Sequence, residues 1–169
     1  LLILFDQNLK IMQEYIFSGK GIYYRTNNFQ KDKQTLVFIH GLSGRSSAWI
    51  KYEQRFKDKF NILTFDLRGH GESKKFFKED DYKIEILAED IYELLKFLKI
   101  EKCILISHSF GTITALELLR QHQDLAISTI FINPVYDPKK SKIFVKFLSF
   151  INLFMPLINK HQISKTIGK

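Results

Sequence analysis

Ser109 stands in Ser107-His108-Ser109-Phe110-Gly111, between an apolar run at 103–106 and a segment of helical character at 112–121. A serine flanked by small residues two positions to either side, at a strand-to-helix junction, meets the steric demand of a nucleophile elbow, where the backbone turns too sharply for larger side chains. Its hydroxyl would attack a carbonyl carbon. The plainer alternative is an ordinary helix N-cap, a place serine also fills well. A second segment, His40-Gly41-Leu42-Ser43-Gly44, follows the run 36–39. Glycine there lets the chain turn so that a backbone N–H faces the site, and with the N–H of Phe110 it would complete a two-donor oxyanion hole. Taken alone, a histidine-glycine pair is a common accident. The third segment, Asp66-Leu67-Arg68-Gly69-His70-Gly71-Glu72-Ser73, follows the run 62–65. Two glycines so close behind a strand suggest phosphate binding, but neither a dinucleotide fingerprint nor a P-loop lysine completes the pattern.

These segments need a scaffold, and the apolar pattern supplies one. The runs 36–39, 62–65, 103–106 and 129–132 are short and rich in β-branched or aromatic residues, which predicts buried strands. Ile84, Leu87, Ala88, Ile91, Leu94, Leu95 and Leu98 form one stripe at helical spacing, with Glu85, Glu89, Asp90 and Glu93 off it. Weaker helical patterns cover 46–56 and 112–121. Strand alternating with helix at this spacing predicts right-handed crossovers and a parallel sheet, an α/β fold with helices on both faces. Ahead of it, 14–17 and 22–25 flank Ser18-Gly19-Lys20-Gly21, a hairpin signal for an antiparallel edge. After Asn133-Pro134 come the basic stretch Lys139-Lys140-Ser141-Lys142 and an apolar, helix-like segment from Ile143, with no further strand. The expected division is a partial core at 1–138 and a helical cap beginning at 139–169.

The chain has 169 residues, 45% hydrophobic and 26% charged, enough for one domain with a real core and too few for two comfortable ones. Lys and Arg number 26 against 18 Asp and Glu, a net charge of +8. The excess is mostly scattered Lys, which reads as a solvated surface and not as a nucleic-acid groove. The single cysteine, Cys103, excludes an intramolecular disulfide and a Cys-based zinc site, fits a reducing cytoplasm, and belongs in the core. No run reaches the roughly 18 apolar residues that a spanning helix needs. The start, 1–5, is apolar but has no basic residues before it and makes a poor signal peptide. The chain also begins without Met, and we expect it to be a piece of something longer.

Taken in order, the three segments resemble the α/β-hydrolase superfamily, in the serine esterase and lipase-like branch that carries H-G-x-x-G, D-x-R-G-H-G-x-S and the elbow at comparable spacing. The resemblance covers about 14–135, with Ser107 in place of the elbow's first glycine. It implies Ser109 as nucleophile, the N–H groups of Leu42 and Phe110 as oxyanion donors, a site-shaping role without chemistry for 66–73, and a lid from Lys139. It also implies a catalytic acid and histidine from later strands, beyond Lys169, so that these 169 residues alone would be inactive. His40 and His70 belong to loops, His108 should point away from the nucleophile, and His122 ends a helix. His161 lies in the expected lid, and Asp137, beside Pro138, is a candidate acid or a turn residue. Trp49, Phe144, Phe147, Phe150 and Phe154 read as packed faces and not as a cofactor box.

The reaction expected is hydrolysis of a carboxylic ester or thioester through an acyl-enzyme on Ser109, with no cofactor and no metal. Serine in place of aspartate at the elbow disfavours dehalogenases and epoxide hydrolases. The alternatives are a catalytically incomplete module that binds a small apolar ligand or a partner, and a membrane-surface binder working through Lys139, Lys140, Lys142 and Lys146. The acyl group and the oligomeric state are not legible.

Overall fold

A computed structural model of the chain describes residues 12–135. The expected cap at 139–169, with its Phe residues and His161, lies outside them, as does Asp137. All the described residues but Val135 belong to one compact unit, Leu1–Pro134. β1 (Gln13–Phe17) and β2 (Ile22–Thr26) form the expected hairpin, in register from Gln13 opposite Thr26 to Phe17 opposite Ile22. Gly21 closes its turn at φ 67°, a left-handed conformation that suits glycine.

The remaining strands are β3 (Thr35–Ile39), β4 (Asn61–Phe65), β5 (Cys103–His108) and β6 (Ala126–Ile132), and the sheet runs in the order β1-β2-β4-β3-β5-β6. β2 pairs antiparallel with β4, and all later pairings are parallel. Three helices carry the crossovers: α1 (Ile50–Phe56), α2 (Ile84–Phe97) and α3 (Phe110–Gln121). The expected helix at 46–56 is in two parts, because Ser46–Trp49 is a 3₁₀ turn. From β3 the chain steps outward to β4, whereas from β4 and β5 it steps the other way. With right-handed crossovers this puts α1 on one face and α2 and α3 on the other. The packing agrees: Leu36, Phe38, Ile62 and Ile106 cluster with Trp49 and Phe56 on the α1 side, while α2 and α3 pack together.

That reversal makes the carboxyl ends of β3 and β5 the switch point of the sheet, where open α/β sheets leave a crevice. The segments after both strands are the ones that carry the candidate chemistry. β3 and β4 are buried along their whole length. β6 is not: Ile127 and Ile130 are each 50% exposed, so 129–132 lies in an exposed edge strand among the described residues. The sequence pattern expects a buried strand there. A parallel strand is buried by neighbours on both sides, and β6 has one.

One buried ion pair ties α2 to the loop after β4. Arg68 donates from Nε to Asp90 Oδ2 at 2.6 Å and from a terminal nitrogen to Oδ1 at 2.8 Å. Both side chains are buried, so removing one partner strands a charge, which costs about 3–5 kcal/mol. Asp90→Ala should therefore lower the urea unfolding free energy by about 3 kcal/mol or more; a change below about 1 kcal/mol would show that solvent rescues Arg68.

Candidate active site

The elbow is real in the backbone. Ser109 joins β5 directly to α3 with φ 49° and ψ −118°, a region that is nearly glycine's alone and costs a side-chain-bearing residue of order 1–3 kcal/mol. Its surroundings hold it there. The Ser109 N–H donates to Ile132 O at 3.0 Å, and its carbonyl accepts from Thr112 N at 2.9 Å. Gly111 lets α3 approach β3: a Cβ on it would lie 2.6 Å from His40 O and 2.7 Å from Ile39 O. Ser107, in the position of the missing glycine, is fully buried, and its hydroxyl has no partner among the described residues.

The loop after β3 comes up against this turn. A Cβ on Gly41 would stand 3.0 Å from His108 Nδ1 and 3.4 Å from Ser109 Cβ, so glycine brings the loop's backbone onto the elbow. The His108 ring therefore lies beside Gly41. His40 is 1% exposed and its ring is fixed at both nitrogens. Leu67 N donates to Nε2 at 2.9 Å, which leaves Nε2 without a proton and puts the ring's hydrogen on Nδ1. Nδ1 then donates to Gly41 O at 2.7 Å. Gly44 N donates to the same carbonyl at 2.9 Å. A trans peptide holds its C=O and N–H on opposite sides. With the Gly41 carbonyl turned toward His40 and Gly44, the Leu42 N–H must point the other way.

The loop 66–73 is closed on itself. Asp66 Oδ1 accepts from Ser46 N at 2.6 Å and Oδ2 from Glu72 N at 2.8 Å. Ser73 donates its hydroxyl to Asp66 O at 2.6 Å and accepts from Tyr23 N at 2.9 Å. A Cβ on Gly71, at φ 47°, would fall 1.9 Å from Asp66 Oδ2. These amides turn inward to a carboxylate of their own chain, which accounts for the glycines without any phosphate. His70 lies between two carbonyls, with Nε2 on Leu42 O and Nδ1 3.0 Å from Arg68 O, and so joins this loop to the loop after β3. Neither the His40–Leu67 bond nor the His70–Leu42 bond is visible in the sequence pattern.

The other candidates fall into place around these. Cys103 is core, its thiol pushed up to about 12 by burial. Trp49 is buried against Phe38. His122 stacks on Tyr92 with ring centroids 3.4 Å apart. Among the described residues no group of three or more His, Cys, Asp or Glu is placed to hold a metal ion, and no helix is long and apolar enough to cross a membrane.

Residues 34–162 match the protein-family model described as alpha/beta hydrolase fold. Epoxide hydrolase 4 of Mus musculus is 29% identical over 104 residues, which are 62% of this chain and 29% of that protein. The "Putative esterase/lipase" of Haemophilus influenzae is 34% identical over 110 residues, 62% of this chain and 37% of its own. The chain thus spans about a third of the length of these curated relatives. Among solved structures, an alpha/beta hydrolase enzyme from a Medee basin deep-sea metagenome library superposes with a TM-score of 0.68 at 18% identity, over 91% of this chain and 63% of that one.

Burial lowers the His40 pKa to about 4, with His70 adding to the effect while the Gly41 bond and Asp66 oppose it. The folded value lies below the unfolded value near 6.5, so the unfolded chain binds more protons between these limits. Stability is full above pH of about 6.5 and is lost as the pH falls toward about 4, by about 3 kcal/mol in all. In urea titrations across that window, the stability advantage of the wild type over His40→Asn should shrink by that order. A constant difference would mean that His40 is not held neutral.

Proposed function

Because the chain belongs to the alpha/beta hydrolase fold family, we propose that it carries the nucleophile half of a serine hydrolase that cleaves carboxylic esters or thioesters. One observation carries this reading: Ser109 occupies a strained backbone turn at a sheet switch point, with Gly41 drawn against its Cβ. Strain of this kind persists where a side chain has to be presented. In the proposed reaction Ser109 Oγ attacks the carbonyl carbon, and the oxyanion that forms is met about 3 Å away by the N–H groups of Leu42 and Phe110, a contribution worth roughly a hundredfold or more in rate. Collapse of the intermediate expels the alcohol or thiol and leaves an acyl-serine, which water hydrolyses.

The nucleophile's identity also selects among the relatives' chemistries. Opening an epoxide with a serine oxygen would leave an ether, which water does not cleave, and the enzyme would stop after one turnover. An acyl-serine is an ester and turns over. The ester reading, which the Haemophilus influenzae relative's name also suggests, is therefore favoured over the one suggested by the name of the Mus musculus relative.

A serine needs a base. Among the described histidines, His40 has both nitrogens engaged, His70 lies between two carbonyls, His108 immediately precedes Ser109 with its ring set against Gly41, and His122 is stacked on Tyr92. We place the base and its acid partner beyond Lys169, in segments that follow β6. A fluorophosphonate probe tests this. The 169 residues alone should label poorly, a chain extended to the relatives' length should label at Ser109, and Ser109→Ala should abolish the labelling. Labelling that survives Ser109→Ala would remove the nucleophile, and brisk ester hydrolysis by the 169 residues would show that the base lies within them.

A further inference from the structure

Phe77 is exposed over its whole surface, at 105% of the reference area. It sits in Lys74-Lys75-Phe76-Phe77-Lys78, the segment that continues from the loop 66–73 at the carboxyl end of β4. A lone exposed aromatic needs no explanation, but this one is presented by a fixed backbone. The neighbouring Phe76 lays its ring beneath the Arg68 guanidinium, 4.2 Å from the ring centroid, with Lys74 Nζ 5.0 Å away. Its amide donates to the Tyr82 hydroxyl at 2.8 Å, and that hydroxyl donates back to the Phe76 carbonyl at 3.0 Å. Tyr82 is itself seated against Gly69, where any Cβ would lie 2.4 Å from its ring. With Phe76 pinned inward, the next side chain of this non-helical segment is directed outward.

Lys74, Lys75 and Lys78 are exposed on either side of Phe77. The carboxylates Glu79, Asp80 and Asp81 come after Lys78, and Asp80 is held by Lys83 at 2.8 Å. An ammonium group on each side of a bare aromatic ring matches the boundary of an anionic bilayer, where phosphates lie above an apolar layer. An acidic peptide or a nucleic acid would answer the lysines and leave the apolar ring in water.

We propose that 74–78 is a membrane-surface contact in which Phe77 enters the headgroup boundary of an anionic phospholipid layer and Lys74, Lys75 and Lys78 meet lipid phosphates. The segment leaves the same carboxyl end of the sheet that bears Ser109, but the proposal does not depend on what Ser109 does. The test uses the whole chain with vesicles of phosphatidylcholine, pure or mixed in equal parts with phosphatidylglycerol. A Phe77→Trp variant should shift its emission to shorter wavelength on the mixed vesicles, against a wild type whose Trp49 is buried. Co-sedimentation with the mixed vesicles should fall about tenfold in Phe77→Asp and about fivefold for each Lys→Gln change at 74, 75 and 78, and should weaken with salt. Unchanged emission, equal sedimentation of wild type and Phe77→Asp, or equal binding to pure phosphatidylcholine would each overturn the proposal.

Discussion

The peptide between Gly41 and Leu42 has one carbonyl and one N–H, and the direction of the first decides the direction of the second. His40 sets it. The ring is buried and neutral, its hydrogen is driven onto Nδ1 by the Leu67 amide at Nε2, and that hydrogen is given to Gly41 O. Gly44 N adds a second bond to the same oxygen. Were the ring to take the other tautomer, Leu67 N–H and Nε2–H would face each other and Gly41 O would lose a donor. The proposed oxyanion donor at Leu42 thus depends on a backbone amide on a different strand's loop.

The rest of the site is built so that this arrangement cannot relax. Three loops meet at the carboxyl ends of β3, β4 and β5, and polar bonds tie the loop after β4 both to the segment after β3 and to α2. Asp66 holds Ser46, His70 holds Leu42 and Arg68 holds Asp90. Close approach does the remainder, since Gly111 and Gly71 stand where a Cβ would strike backbone or carboxylate. A residue in Ser109's conformation would drift to an ordinary turn if its neighbours allowed it. With its N–H on Ile132 O and α3 pressed against β3, the turn stays sharp, and a cost of order 1–3 kcal/mol is absorbed by the packed sheet.

The strands and α2 were legible because burial leaves a local periodic mark: five consecutive buried residues in β3 and in β4, and one apolar stripe along α2. The elbow was legible for a similar reason, since steric demand selects small residues at Ser107 and Gly111. What was not legible is long in sequence. The bond from Leu67 to His40 spans 27 residues and that from Ser46 to Asp66 spans 20, and no local pattern distinguishes these side chains from solvated ones. The exposure of β6 was hidden for the same reason. Its composition is that of an interior strand, whereas its surroundings among the described residues are those of an edge. Phe77 shows the converse, an apolar residue in an apolar pair whose two members face opposite ways because a hydroxyl from Tyr82 holds one of them.

The protonation state of the His40 ring is open to direct observation. A long-range proton–nitrogen correlation spectrum of the imidazoles, recorded near neutral pH, reports which nitrogen of His40 carries hydrogen. With Leu67 N donating to Nε2 and Nδ1 facing Gly41 O, Nδ1 should be protonated and Nε2 bare. A ring protonated at Nε2, or at both nitrogens, would contradict this assignment, because Leu67 N–H would then have no acceptor and the direction of the Leu42 N–H would no longer follow from His40.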